Sequence, residues 1–156
     1  MFPLFQWLEN SGIGVAIRAS HVLFPVIEAL HLLALGLFGS AVLLVDMRLA
    51  GVGLRSHPLA ALEREARPWL LASLAVLIVS GFLLFLSESV KAYYSVPFWV
   101  KMASLVSAIA FTFTVRRKVA EANEMEKAPL SGTVTAVISL ALWAGVLWGG
   151  RWIGFS

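Results

Sequence analysis

The feature that most constrains this chain is the stretch from Val22 to Val45, 24 residues that are apolar apart from Glu28, His31 and Ser40. As a helix it reaches about 36 Å, more than the ~30 Å of a bilayer's hydrocarbon core. It reads as a transmembrane helix. An ionisable side chain inside such a segment costs roughly 2.5–3.5 kcal/mol on insertion scales, so it usually faces a protein interior or a cofactor rather than lipid. Glu28 and His31 are therefore the first functional candidates.

Composition agrees with the membrane reading. Of 156 residues, 60% are hydrophobic and only 13% charged, with a mean hydropathy of +0.87, outside the range of water-soluble domains. The net charge of +3 comes mostly from short runs beside apolar segments, which gives a nucleic acid no basic stripe to bind. The absence of cysteine excludes disulfides, thiolate metal sites and haem attached through paired thiols. The first residues, MFPLFQWLENSG, have no basic start and carry Glu9, unlike a cleavable signal peptide.

In chain order, residues 2–20 mix Phe2, Phe5 and Trp7 with Glu9, Asn10 and Arg18. This mixture suits an interfacial helix with its aromatics at headgroup level. Four spans follow, over about residues 22–46, 69–88, 97–116 and 133–150. Between the first two lies a polar loop with Arg55, His57, Glu63, Arg64, Glu65 and Arg67, part of it helical after Pro58. The expected fold is all-α, one domain, a four-transmembrane-helix bundle. Eight Lys and Arg flank the loops between spans one and two and between three and four (Arg48, Arg55, Arg64, Arg67, Arg116, Arg117, Lys118, Lys127), against Arg18, Lys91, Lys101 and Arg151 on the other side. The positive-inside bias places both termini outside the cytoplasm of a bacterial inner membrane. Trp99, Trp148 and Trp152, with Tyr93 and Tyr94, would form an aromatic belt at that outer level.

At 100° per residue, His21 and Glu28 share one face of the first span and His31 borders it, while Ala29, Gly36 and Ser40 make a narrow stripe open to close helix approach. The last span holds Gly145 and Gly149 in a GxxxG, whose ordinary use is packing within the chain. By depth, His21, Glu28, His31, Glu88 and Lys101, with Ser80 and Ser87 nearby, fall in the outer half and converge between helices there. Lys101 is expected across from Glu28. The plain reading is a structural polar cluster; the functional one is a cofactor site. Glu88 and Lys91 read as interfacial charges and His57 as a solvated loop histidine.

The segments ALHLLALGLFGSAVLLVDMRLAG on span one and PFWVKM on span three resemble a family of uncharacterised small bacterial four-helix membrane proteins. Its anchors here are Glu28, His31, Gly36, Gly39, Asp46, Arg48, Leu49, Gly51 and Lys101. More distantly, a histidine in helix one and a lysine early in helix three are similar to the four-helix protoporphyrinogen oxidase and the copper-resistance D membrane proteins. The likeness to the oxidase implies that His31 ligates a b-haem. Where the oxidase pattern has a histidine two residues before the lysine, this chain has Trp99, so the oxidase activity does not carry over.

His21 and His31 lie about 15 Å apart along one helix and cannot sandwich one iron. With His31 as ligand, the second would be Lys101 or Met102, a histidine of another copy, or none, and Arg18 and Arg151 would pair with propionates. The alternative metal reading places copper, zinc or iron on His21, Glu28 and His31; the Glu-x-x-His spacing of Glu28 and His31 also matches carboxylate-bridged di-iron bundles, which need a second copy. Pro25 between the histidines is a candidate kink. The expected function is a b-haem protein in electron transfer, with membrane lipid, another copy of itself and a redox protein as partners and no nucleic acid. The alternative is a non-catalytic scaffold.

Overall fold

A computed structural model describes residues 1–53, 56–122 and 130–153. Two short helices, α1 (Phe2–Glu9) and α2 (Gly12–Ala19), precede α3 (Leu23–Leu49) and α4 (Leu59–Ser87). A short α5 (Ser89–Tyr94) leads into α6 (Val96–Ala122), and α7 (Leu130–Ile153) completes the bundle. Helices α3, α4, α6 and α7 are each long and apolar enough to cross a membrane, which makes this a multi-pass membrane protein, all-α among the described residues. The chain enters α3 and leaves α7 at one end of the bundle, the terminal end; the α3–α4 turn marks the loop end.

The bundle is two helical hairpins. Helix α3 packs along α4, and α6 along α7, and the hairpins join where α3 meets α7. The α6–α7 seam uses the expected glycines: a Cβ on Gly145 would stand 2.8 Å from Ser104 Oγ, and one on Gly149 would stand 2.8 Å from Lys101 Cβ and 2.9 Å from the Pro97 carbonyl. Residues 97, 101 and 104 form one ridge of α6, and the GxxxG is the groove that takes it. The stripe on α3 behaves differently. A Cβ on Gly36 or Gly39 would meet nothing within 4 Å, and Ser40 is exposed beside them, so among the described residues no helix covers this face.

The loop end of α3 is closed by Asp46, Arg48, Leu49 and Gly51, four of the anchors of the resemblance. Gly51 has φ 72°, its N–H donates to the Arg48 carbonyl and that of Val52 to the Met47 carbonyl. This Schellman cap demands the left-handed conformation glycine adopts freely. Arg48 Nε donates to the His57 carbonyl at 3.0 Å, and Leu49 is buried with Phe38, Val42 and Val45 against Leu59, Leu70 and Leu74 of α4. Deeper, Arg116 Nε donates to Asp46 Oδ1 at 2.7 Å, and both side chains are 0% exposed.

Two span boundaries differ from expectation. The helix expected after Pro58 starts at Leu59 but is not separate from the span expected from residue 69: the two are one helix, α4, unbroken through Pro68. Glu63 and Ala66 are buried there, so tertiary packing joins the loop helix to the span. The third span continues past residue 116 because Arg116 turns inward to Asp46 instead of leaving the membrane. A π turn over Thr112–Arg116 accommodates it. Pro25 falls in the first turn of α3, where its missing N–H costs no helical bond, and α3 is one helix.

The interfacial segment is a helical pair rather than one helix. Ser11 caps α2 by accepting from Gly14 N at 3.2 Å. Phe5 is buried among the rings of Phe85, Tyr93 and Trp99, while Leu4 and Trp7 face outward. Glu9 fastens the pair, accepting from Arg18 Nη1 at 2.8 Å and from the Val90 N–H at 2.6 Å.

Candidate functional site

The polar group of the terminal half is built around His31. It stands about 12 Å in from the start of α3, and Ser80 of α4 about 10 Å in from Ser87, so the two meet at one depth. His31 Nδ1 and Ser80 Oγ are 2.8 Å apart, and Ser80 Oγ donates to the Val76 carbonyl at 2.6 Å. A hydroxyl has one proton. With that proton on Val76, Ser80 accepts from His31 Nδ1–H, and the neutral imidazole keeps its lone pair on Nε2. Gly81 makes room for the ring: a Cβ there would stand 3.1 Å from His31 Cε1.

Lys101 of α6 approaches the same region, close enough for its charge to act on His31. Its stem lies in the α7 groove, with Cβ against Gly149, and its Nζ would be 3.8 Å from a Cβ on Gly150. No ion pair holds its ammonium among the described residues. His31 and Ser80 thus join α3 to α4, while Lys101 joins α6 to α7, whose glycines admit its stem.

Other candidates stand elsewhere. Glu28 is exposed on the outer surface of α3, so the expected Glu28–Lys101 pairing is not formed. The core-facing side of α3 is set by Ala34, Phe38, Val42 and Val45; His31 lies on it, and Glu28 lies some 60° round the helix. His21, in the turn before α3, lines a surface cleft of about 310 Å³ with Arg18, Ser20, Phe24, Pro25 and Glu88. Arg18 is engaged by Glu9 and the Ser87 carbonyl. Arg151 lines a second cleft with Leu147, Trp148 and Trp152. Met102 is 37% exposed on the outside of α6. Neither cleft includes His31, and among the described residues no three His, Asp or Glu side chains converge as a metal centre. His57 bonds Ser56 at the exposed loop end.

Sequence reasoning misses the second polar centre, Asp46, Glu63 and Arg116 at the loop end. In the sequence Asp46 and Arg116 look like charges marking where spans leave the membrane, and Glu63 like a loop residue. The available signal is that Asp46 and Arg116 lie at equal depth on different hairpins with opposite charge.

No curated protein and no solved structure matches the chain. The comparisons return no likeness to haem or copper-resistance proteins. A family model matches residues 4–156, which takes in all four long helices and both polar centres. The chain belongs to the Family of unknown function (DUF6644).

Proposed function

We propose that this protein is a small carrier of b-haem in a bacterial cytoplasmic membrane, serving electron transfer, with His31 as its iron ligand. The observation that carries this reading is the 2.8 Å contact of His31 Nδ1 with Ser80 Oγ, which orients the ring and, with the Ser80 proton directed to the Val76 carbonyl, leaves the lone pair on Nε2. An oriented histidine whose other nitrogen is hydrogen-bonded is the usual arrangement of a metal-ligating imidazole. His21 and His57 sit at opposite ends of the bundle, so His31 is the histidine at membrane depth. Bound haem would supply the one-electron chemistry. Lys101 offers a cation for a propionate or a nitrogen for the iron, while Met102, Arg18 and Arg151 take no part. Both termini lie outside the cytoplasm in this reading, and the uncovered face of α3 with Gly36, Gly39 and Ser40 is where a second copy would pack.

A specific observation favours the second reading, a non-catalytic bundle held by its polar cluster. The His31 ring is packed against Gly81, and neither surface cleft reaches it. The two are separated by expressing the protein with excess haem precursor, purifying it in mild detergent and measuring haem per chain. The expected result is a Soret band that persists in His21→Ala and His57→Ala and is lost in His31→Ala. Colourless wild-type protein, or full occupancy in His31→Ala, would overturn the haem reading.

A further inference from the structure

We propose that the loop end of the bundle contains a proton-binding site, in which Asp46 takes up an exchangeable proton on Oδ2 beside Arg116, Glu63 and Ser139. The inference is independent of haem.

The geometry leaves one position for that proton. Asp46 Oδ1 accepts from Arg116 Nε at 2.7 Å. Arg116 Nη2 reaches the Val42 carbonyl at 3.5 Å, and Nη1 stands 3.7 Å from Glu63 Oε2. Among the described residues, four enclosed atoms of this group then have no hydrogen-bond partner: Asp46 Oδ2, Glu63 Oε2, Arg116 Nη1 and Ser139 Oγ. The Ser139 hydroxyl stands beside the Asp46 carboxyl. The Ser139 hydroxyl can donate to the ionised Oδ2 or accept from it once it is protonated, so the site holds either state without disturbing the bond from Oδ1 to Arg116.

Charge leads to the same place. Two carboxylates and one guanidinium carry one net negative charge in a region where Asp46 and Arg116 are 0% exposed, and an uncompensated buried charge is strongly unfavourable. Among the described residues no second cation is hydrogen-bonded to Asp46 or Glu63: on α3, Arg48 donates to the His57 carbonyl; on α6, the exposed Arg117 pairs with Glu121 at 2.8 Å and acts on Glu63 only through its field; the buried polar residues of α7 are the neutral Ser139 and Thr135. One proton makes the triad neutral. Glu63, whose side chain is 11% exposed, is the member of the triad that water reaches; one O–H bond forms at Oδ2 as one breaks in the hydronium or water donor.

The test is infrared spectroscopy of the full chain in lipid nanodiscs, titrated between about pH 5 and 9, watching the C=O stretch of protonated carboxyl groups. The expected result is a carboxyl band that fades as pH rises, is absent in Asp46→Asn, and survives in the exposed Glu65→Gln. Ser139→Ala should keep the band and shift it to higher frequency, since the hydrogen bond is gone. Glu63→Gln should weaken proton binding about tenfold or more by removing the neighbouring charge. No carboxyl band removed by Asp46→Asn, or a band lost in Glu63→Gln and retained in Asp46→Asn, overturns the proposal. Should Asp46→Asn fail to fold, an unshifted spectrum in Ser139→Ala does so.

Discussion

Arg116 and Asp46 are 70 residues apart in the chain, yet their side chains meet at 2.7 Å with neither exposed to any surface of the bundle. The pair joins the two helical hairpins at their loop end, and removing one partner leaves the other charge buried alone. Arg116→Met should destabilise the bundle by about 3–5 kcal/mol. Arg117→Met, which loses an exposed pair with Glu121, should leave the unfolding midpoint nearly unchanged. Thermal unfolding of the two variants in one detergent compares them; equal midpoints would remove the pair from the stability of the fold.

Lys101 carries the opposite expectation. Its ammonium has no carboxylate partner among the described residues, because Glu28 faces away, so Lys101→Met removes a desolvated charge and strands nothing. The variant should be as stable as wild type or more stable by about 1 kcal/mol, while haem per chain falls. Lys91→Met, at an exposed position, should change neither. A large drop in unfolding temperature for Lys101→Met would show that the ammonium has a stabilising partner.

The glycines divide into two classes that a methyl group can distinguish. Gly149→Ala places a Cβ within 3 Å of both Lys101 Cβ and the Pro97 carbonyl and should separate α6 from α7 at a cost of about 1–3 kcal/mol. Gly36→Ala meets open space and should be neutral or stabilising by up to about 1 kcal/mol through helix propensity. Unfolding midpoints check both. If copies associate through the α3 face, Gly36→Leu should also reduce cross-linked dimer in native membranes, and an unchanged yield would exclude that face.

Loop charge carries a topology forecast. A reporter active only in the cytoplasm, fused after Ser156, should be silent, and the same reporter inserted between Arg55 and Ser56 should be active. The reverse pattern would invert the bundle in the membrane.

Four spans were legible because runs of apolar residues report length directly. The rotation of each helix was not. In lipid the outward face is as apolar as the inward one, so α3 offers no polar side to define its core, and angles measured from His21 grouped Glu28 with the wrong face. Gly145 and Gly149 could be placed on a packing seam, since small-residue spacing is local to one helix. The Asp46–Arg116–Glu63 centre could not, since each member looks like an ordinary charge at the edge of its own span. Only the pairing of three helices at one depth turns those edges inward.

Glu9 of α1 accepts from the Val90 N–H, 81 residues further along. At a synthesis rate of about 5–20 residues per second, that amide emerges roughly 4–16 seconds after Glu9 does. Through that interval the Glu9 carboxylate has Arg18 but not the Val90 amide, and Phe5 lacks the rings of Phe85, Tyr93 and Trp99. The first two helices are therefore made early and locked late, only once the α4–α5 junction has been inserted beside them.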